Sequence, residues 1–265
     1  MESISYALIT GATGGLGKAF AYELAARGDR LLLTGRSEEK LLALQTELQK
    51  KYPQSQITYF AANLSNEVDR YALKEKIERE NWRIRLLVNV AGADVQKAFA
   101  EYTQEKIAMQ CRVNFEAAVS MCHLAIENKA ENLQIINISS VSGIYPMPYF
   151  AIYSATKSAL TSFSVSLREE CKHKGIYVTA VLPGAMPTRD DVKEQIKGQG
   201  LWGKLAAKSP QWVARYALKA VAKNKRKVIP GGWNKAMRIA TACIPLSWKL
   251  HFIAKRWSKI SKDAF

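Results

Sequence analysis

A glycine-rich loop joins the first apolar run of the chain to the first helical segment. It covers Thr10 to Gly17, reads TGATGGLG and directly follows the strand-like residues 6–9. At a junction from strand to helix, glycines let a phosphate approach the main chain, and the N–H groups that begin the helix can bind it. The spacing Gly11-x3-Gly15-x-Gly17 departs from the standard G-x-G-x-x-G fingerprint. We expect a dinucleotide pyrophosphate here; the alternative is a plain glycine-rich turn.

Strand-like apolar runs alternate with segments of helical periodicity, which is typical of βαβ units and a parallel sheet. The predicted strands are residues 6–9, 30–34, 57–61, 86–90, 133–139, 177–182 and 228–229, and the predicted helices are 17–27, 38–51, 67–79, 104–128 and 152–173. A length of 265 residues with 48% hydrophobic content is enough for one sizeable core. The pattern predicts an α/β, three-layer doubly wound Rossmann fold with a seven-stranded parallel sheet. Residues 1–230 would form one catalytic domain, and residues 231–265 its basic C-terminal extension.

Polar residues at the ends of the predicted strands suggest how a dinucleotide is held. Gly35-Arg36-Ser37 ends the second strand, where an acidic residue would take an adenosine 2′-hydroxyl and a guanidinium suits a 2′-phosphate. We therefore expect NADP(H) in preference to NAD(H), unless Arg36 is only a solvated residue at the helix start. Asn63, after the third strand, either contacts adenine or is a plain loop residue. Asn89 to Gly92 ends the fourth strand with a glycine that lets the cofactor pass close to the main chain.

A tyrosine and a lysine four residues apart, Tyr153 and Lys157, share one face of a predicted helix. An ammonium about 4 Å from a phenol favours the phenolate by up to roughly 4 kcal/mol, or about three pKa units. Such a pair can move a proton near neutral pH. Ser140, 13 residues before Tyr153, closes an apolar strand-like run. Tyr102 and Lys106 repeat the spacing without a serine at that offset, so we favour the first pair.

With these segments in place, residues 4–230 resemble the classical short-chain dehydrogenase/reductase family. The resemblance rests on six motifs in order: TGATGGLG at Thr10 to Gly17, NVAG at Asn89 to Gly92, Asn114, Ser140, YSATK at Tyr153 to Lys157, and PGAMPT at Pro183 to Thr188. The glycine spacing found here is the one that the family has. Two positions depart from the family pattern: Asn63 replaces the usual aspartate, and NVAG replaces NNAG.

The resemblance implies a role for each motif residue. Tyr153 would be the proton donor or acceptor, and Lys157 would make its phenol more acidic and hold the nicotinamide ribose. Ser140 would bind the substrate oxygen, Asn114 would support a water that connects Lys157 to solvent, and Thr188 would hold the nicotinamide carboxamide. The implied cofactor contacts are Gly11, Thr13, Gly15, Leu16, Gly17, Arg36, Asn63, Asn89, Ala91, Gly92, Tyr153, Lys157, Pro183, Gly184 and Thr188.

Hydride transfer between a nicotinamide and a carbonyl carbon is the chemistry that these residues favour, with Ser140 and Tyr153 meeting the oxygen. We expect an NADPH-dependent carbonyl reductase or alcohol dehydrogenase of the EC 1.1.1 type. No metal is expected, because the four cysteines lie far apart with no paired spacing, and only three histidines could join them. The alternative is a non-catalytic NADP(H)-binding sensor or membrane-surface module, against which the complete catalytic set argues.

The segment between Ser140 and Tyr153 reads VSGIYPMPYFAI, and its apolar side chains are placed to line a pocket. We expect Ser140, Ile144, Met147 and Tyr153 to contact an apolar ketone or alcohol, with an acyl chain or a steroid as candidates. The aromatic residues of this segment are alternatively core or dimer contacts. Residues 189–201 are polar and contain glycines, which suits a lid over the site. The resemblance also implies a homodimer or homotetramer.

The net charge of +16 is concentrated in the tail, since residues 201–265 contain 15 lysines and arginines against one acid, Asp263. On a helical wheel of residues 247–260 the two sides differ: Leu250, Ile253, Ala254, Trp257 and Ile260 share one side, and Lys249, Lys255, Arg256 and Lys259 lie opposite. This helix predicts either peripheral contact with an anionic membrane or packing on its own domain or a partner subunit. Nucleic acid is not expected, because no recognition motif is present. The start has no signal-peptide stretch, so we expect a cytoplasmic protein, peripheral at the membrane if the tail binds there.

Overall fold

A computed structural model describes residues 4–188, 192 and 205–257 of the chain. Within these ranges seven parallel strands form one sheet in the order β3-β2-β1-β4-β5-β6-β7. The strands are β1 (Ser5–Thr10), β2 (Leu31–Gly35), β3 (Ile57–Ala61), β4 (Arg83–Asn89), β5 (Lys129–Ile138), β6 (Ile176–Val181) and β7 (Lys227–Val228). The predicted doubly wound parallel sheet is confirmed.

The strand order reverses its direction between β1 and β4. From β1 the chain adds β2 and β3 on one side, and then returns to add β4 to β7 on the other. In an open parallel sheet, such a reversal leaves a crevice at the carboxyl ends of the strands, where ligands bind. Thr10 and Asn89 are register partners at the ends of β1 and β4. The glycine loop and the NVAG motif therefore meet at this crevice.

Helices cover both faces of the sheet, because each crossover returns the chain to start another parallel strand. They are α1 (Gly15–Ala25), α2 (Glu38–Lys51), α3 (Glu67–Arg79), α4 (Gln104–Cys111), α5 (Ala117–Glu127), α6 (Ala151–Glu170), α7 (Pro210–Ala222), α8 (Gly232–Ala240) and α9 (Leu246–Trp257). Ser37, Asn66 and Thr103 each cap a helix by accepting a hydrogen bond from a backbone N–H of its first turn.

The core lies in two layers, one on each face of the sheet. In β1, Ala7 and Ile9 pack towards α1, α2 and α7, whereas Tyr6 and Leu8 pack towards α3 and α5. Both sets are buried, so the strand reads as a continuous apolar run and not as an alternating one. Burial on both faces holds the strand ends, and with them the crevice, in fixed positions.

The single helix expected over residues 104–128 is interrupted. α4 ends at Cys111, a π-helical turn spans Arg112–Glu116, and α5 follows. Because the apolar spacing continues through this turn, periodicity alone does not indicate it. β5 also begins earlier than expected, at Lys129, which pairs with Ile84 before a register shift.

The C-terminal extension, residues 231–265, contains α8 and α9, and one side of α9 faces its own domain. Leu250, Ile253, Ala254 and Trp257, which share the predicted apolar side, are half-buried. The Trp257 ring lies 5.6 Å from the Phe150 ring, measured between centroids. Ile260 and Lys259 of the predicted wheel lie outside the described residues, as does the predicted lid, residues 189–201, apart from Val192. In the part of the chain that is described, no helix is long and apolar enough to cross a bilayer.

Candidate active site

A cleft of about 370 Å³ opens at the carboxyl ends of the central strands. Its volume lies within the range of small-molecule and cofactor sites. The predicted residues that line it are Gly11, Thr13, Gly15, Leu16, Arg36, Asn63, Ala91, Gly92, Ser140, Tyr153, Lys157, Pro183, Gly184 and Thr188. The fold thus brings motifs from distant parts of the sequence into one cleft.

The glycine loop leaves no room for side chains where it meets its neighbours. Gly11 has a φ of +61°, and a Cβ on it would lie 2.9 Å from the backbone of Ala91. A Cβ on Gly15 would lie 2.9 Å from the Thr188 side chain, and one on Gly17 would lie 2.2 Å from the carbonyl oxygen of Gly11. Gly17 therefore packs under the loop and does not line the cleft. The main chain is exposed to the cleft at the start of α1, which fits the pyrophosphate of a dinucleotide.

Lys157 is held beside Tyr153 on α6. Its Nζ lies 5.8 Å from the centroid of the Tyr153 ring and donates a hydrogen bond of 2.9 Å to the carbonyl oxygen of Ile138. The residue is only 4% exposed. Burial lowers the pKa of Lys157 from 10.5 to about 8, and the carboxylate of Asp94 acts in the opposite direction. The lysine can therefore exchange a proton not far above neutral pH.

Asp94 is a cleft residue that the sequence pattern did not indicate. It lines the cleft two residues after Gly92, and its negative charge favours the protonated form of Lys157. The only signal for it is an acid close behind the NVAG motif, and acids are common in loops. Met109, Val113 and Met186 also line the cleft and supply apolar surface.

Asn114 is fully buried in the π-helical turn. Its Oδ1 accepts a hydrogen bond of 2.7 Å from the Ala93 N–H, and its Nδ2 donates to the Ala93 carbonyl at 2.8 Å and to Thr156 Oγ1 at 3.2 Å. The amide therefore joins the loop after β4 to α6, next to Lys157. The family resemblance implies that Asn114 supports a water connecting Lys157 to solvent, and this water stays a prediction.

Ser140 follows β5 with an extended backbone, φ −158° and ψ 158°. Its Oγ accepts a hydrogen bond of 3.1 Å from the Ser142 N–H, and a hydroxyl that accepts in this way can still donate its own proton. Ser139 donates from Oγ to the carbonyl of Lys157 at 2.7 Å. A Cβ on Gly143 would lie 2.8 Å from that same carbonyl. These contacts fix the serine loop against α6.

Arg36 and Asn63, which were expected near the adenosine, both line the cleft. Arg36 is exposed just after β2, so its guanidinium can reach a ligand from the rim. The Asn63 N–H donates to the Asp69 carboxylate at 2.7 Å, and Asn63 Oδ1 accepts from Ser65 Oγ at 2.8 Å. The Asn63 side-chain oxygen is thus used within its own loop, and its backbone N–H is used by the first turn of α3.

Three further predicted contacts lie outside the cleft lining. Asn89 points into the interior, where its Nδ2 donates to Asn137 Oδ1 at 2.9 Å and to the Ala118 carbonyl at 3.1 Å. Ile144 packs against a small buried cluster at the ends of β6 and β7. Met147 is half-buried in the same segment. Direct substrate contacts by Ile144 and Met147 would require a ligand that extends beyond the cleft.

The competing pair, Tyr102 and Lys106, lies away from the cleft lining. The Tyr102 hydroxyl donates to the carbonyl of Val95 at 2.8 Å, which gives the ring a structural role. Among the residues described, no group of three or more His, Cys, Asp and Glu side chains is arranged to hold a metal ion.

Comparison with known proteins places these motifs in context. A family model described as short chain dehydrogenase matches residues 5–197. A very-long-chain 3-oxoacyl-CoA reductase of Bos taurus is 34% identical over 229 residues, which cover 83% of this chain and 70% of the bovine protein. The match to the reductase of the same name from Macaca fascicularis covers 60% of the macaque protein. A human protein named inactive hydroxysteroid dehydrogenase-like protein 1 is 29% identical over 92% of this chain and 73% of its own. The solved structure of a short-chain dehydrogenase from Sphingobium yanoikuyae in complex with NADPH is 27% identical, with a TM-score of 0.74 over 91% of this chain and 96% of that one.

Proposed function

Because the chain belongs to the short-chain dehydrogenase/reductase family, we propose that it is an NADPH-dependent reductase of an apolar ketone, with the 3-oxo group of a long acyl thioester as the leading candidate. Membership makes it an oxidoreductase that acts on hydroxyl and keto groups. The observation that carries the proposal is the convergence of Ser140, Tyr153 and Lys157 on the cleft formed by the glycine loop.

The catalytic side chains have separate tasks in this reduction. When bound, NADPH supplies the hydride that adds to the carbonyl carbon. Ser140 donates a hydrogen bond to the carbonyl oxygen as it gains negative charge, and Tyr153 gives that oxygen a proton and becomes a phenolate. Lys157, beside the ring and with its pKa lowered to about 8, stabilises the phenolate and can return a proton to it. Asn114 holds the loop against which the lysine packs.

Tyr153→Phe tests the reaction, and the chain offers a matched control in Tyr102→Phe. Purified protein is given NADPH and a panel of 3-oxoacyl thioesters and hydroxysteroid ketones, and the loss of NADPH absorbance is followed. Loss of the proton donor should lower kcat by about 100-fold or more, whereas Tyr102→Phe should retain activity because its hydroxyl serves the Val95 carbonyl. If Tyr153→Phe consumes NADPH as fast as the native chain, the proton-transfer role is wrong.

Preference for NADP(H) is proposed from Arg36. Its exposed guanidinium stands at the cleft rim just after β2, where a 2′-phosphate can be bound by a charge-assisted hydrogen bond. Arg36→Ala should weaken NADPH binding by about 10-fold to 100-fold and leave NADH binding nearly unchanged. Equal weakening of both cofactors, measured by fluorescence titration, would remove Arg36 from this role.

The apolar substrate is proposed from the cleft wall and from the relatives. Met109, Val113 and Met186 face the cleft beside the catalytic groups, and methionines adapt well to flexible apolar ligands. The bovine relative is named for a very-long-chain 3-oxoacyl substrate, which agrees with such a wall. In the same assay, kcat/KM should rise with acyl length; equal values for short and long chains would argue against an acyl-chain pocket.

A non-catalytic NADP(H)-binding role is the second candidate, because one similar human protein is named inactive. The two roles differ in turnover. A chain that binds NADPH tightly and reduces none of the ketone panel, even at high protein concentration, would favour the binding role.

We also propose a cytoplasmic homodimer or homotetramer that touches an anionic membrane through its tail. The tail contains most of the positive charge, and Trp248 and Phe252 on α9 are 73% and 68% exposed. Light scattering of the purified chain tests the oligomer, and co-sedimentation with vesicles tests the membrane contact.

A further inference from the structure

A second large concavity, which we call the basic groove, lies between α7, β7 and α8. It has a volume of about 600 Å³. Its cationic lining residues are Lys219, Lys223, Lys225, Lys227, Lys235 and Arg238. None of the residues that the cofactor cleft uses takes part in it. The basic groove is therefore a separate feature of the molecule.

The charge of the basic groove is not balanced from within. No aspartate or glutamate is found among its lining residues, all of which belong to the described part of the chain. Two acids are paired with arginines that directly precede groove residues in the sequence: Glu169 binds Arg226 at 2.7 Å, and Glu23 binds Arg215 at 2.6 Å. Like charges placed close together repel each other. Such an arrangement is most stable when an anion occupies the groove.

The floor of the basic groove and its continuation are apolar. Val228, Ile229 and Ala220 lie beneath the cations, and Tyr216 accepts a hydrogen bond of 3.1 Å from Lys235. Ile239 lines the groove and is itself 74% exposed. Further exposed apolar side chains follow it in the sequence, in the turn after α8 and on α9: Ile244, Leu246, Trp248 and Phe252. A ligand for this surface should combine negative charge with hydrocarbon.

We propose that the basic groove binds the phosphate of an anionic phospholipid, and that this contact seats the exposed apolar side chains of α8 and α9 in the bilayer interface. The inference deepens the proposed membrane contact, on which it rests, and does not depend on the reduction reaction. A bilayer offers both features at once, because cations attract its phosphates and apolar and aromatic side chains enter its interface. Nucleic acid offers phosphates and bases that stack on aromatic rings, but no hydrocarbon for exposed aliphatic side chains such as Ile239.

A second copy of the chain is a poor occupant of the same face. In a two-fold contact the same patch meets itself, so the six cations would face six identical cations. The repulsion between them would oppose such an interface.

The test compares full-length variants in co-sedimentation with vesicles of phosphatidylcholine alone or mixed with phosphatidylglycerol. Lys219→Gln/Lys223→Gln removes two exposed charges from the basic groove. At about 1 kcal/mol for each cation near an anionic surface, the change should weaken binding to the anionic vesicles by about 25-fold. Lys40→Gln/Lys50→Gln, on the exposed side of α2, removes the same charge elsewhere and should bind as the native chain does. A thermal melt of each variant verifies that it is folded.

The outcomes separate the role of the groove cations from that of the exposed aromatic side chains on α9. If the native chain does not bind the anionic vesicles, both the proposed membrane contact and the proposed role of the basic groove are wrong. If Trp248→Ser/Phe252→Ser abolishes vesicle binding but Lys219→Gln/Lys223→Gln leaves it unchanged, the role of the basic groove is wrong, and the membrane contact stands. Release of the vesicles by low concentrations of inorganic pyrophosphate would identify a soluble phosphate compound as the ligand, and tighter binding to RNA than to vesicles would identify a nucleic acid. Either result would overturn the lipid assignment.

Discussion

Replacing Lys157 by methionine should stabilise the cofactor-free chain at neutral pH. Lys157 is buried, and burial lowers its pKa from 10.5 to about 8. A shift of that size means that keeping the ammonium in the folded chain costs about 3 kcal/mol at pH 7. Methionine has a similar shape and no charge, but it loses the hydrogen bond to the Ile138 carbonyl, which contributes about 1 kcal/mol. The expected net gain in the free energy of unfolding is about 2 kcal/mol.

The same pKa shift fixes how this difference depends on pH. Between about pH 8 and pH 10.5 the unfolded chain binds more protons at this lysine than the folded chain does, so the lysine's contribution to stability rises with pH. The cost of the buried charge is fully present below pH 8, falls to about 2 kcal/mol at pH 9 and to about 1 kcal/mol at pH 10, and vanishes above the unfolded pKa. The methionine variant has no such term. Its advantage over the native chain should therefore shrink by about 2.5 kcal/mol from pH 7 to pH 10.

Urea unfolding followed by circular dichroism at pH 7, 8, 9 and 10 measures this difference. Taking the variant minus the native value at each pH cancels the titration of all other groups. Leu42→Met, at an exposed position on α2 that has no titratable group, is the control and should give a difference that does not change with pH. A flat difference for Lys157→Met as well would mean that the folded chain leaves Lys157 as basic as an exposed lysine, and the reasoning would be refuted.

Three further outcomes are expected. Asn114→Ala should lower the free energy of unfolding by about 1–3 kcal/mol in urea denaturation, since it leaves the buried Ala93 N–H without its partner, whereas the Ala93 carbonyl keeps the hydrogen bond from Gln110. Gly143→Ala should lower kcat, at a stability cost of about 1–3 kcal/mol, because its Cβ would push on the Lys157 carbonyl 2.8 Å away. Two of the four cysteines are exposed and two are buried, so a thiol reagent at pH 8 should react fast with only two cysteines of the native chain and with all four after unfolding. Fast reaction of all four before unfolding would contradict the packing described.

The order of the elements and the position of the cleft could be predicted because their signals are local. Continuous apolar runs predict strands that are buried on both faces. The glycine loop marks the junction between the first strand and the first helix. The carboxyl ends of parallel strands lie at one edge of the sheet. The segments that follow β1, β4 and β5 therefore meet there: the glycine loop, the NVAG motif and Ser140.

Side-chain direction at the strand ends could not be predicted in this way. Asn89 and Asn137 are register partners on β4 and β5, and their amides bind each other inside the core at 2.9 Å. A strand with apolar residues on both faces gives no sign of which face its last polar residue will take. The role of Asp94 could not be predicted either, because its charge raises the pKa of Lys157, a residue that is distant in sequence.

Gly92 shows how the cofactor side and the proton-transfer side of the site share one wall. The sequence suggested that this glycine lets a cofactor approach the main chain, but a Cβ there would first meet Asn114 Oδ1 at 3.0 Å and Lys157 Nζ at 3.4 Å. Asn114 reaches that point from the π-helical turn between α4 and α5, an irregularity that is frequent at functional sites. The glycine is thus needed on the protein side for the buried lysine as well as on the cleft side for a ligand. Movement of the loop after β4 would therefore disturb the cleft and the environment of Lys157 together.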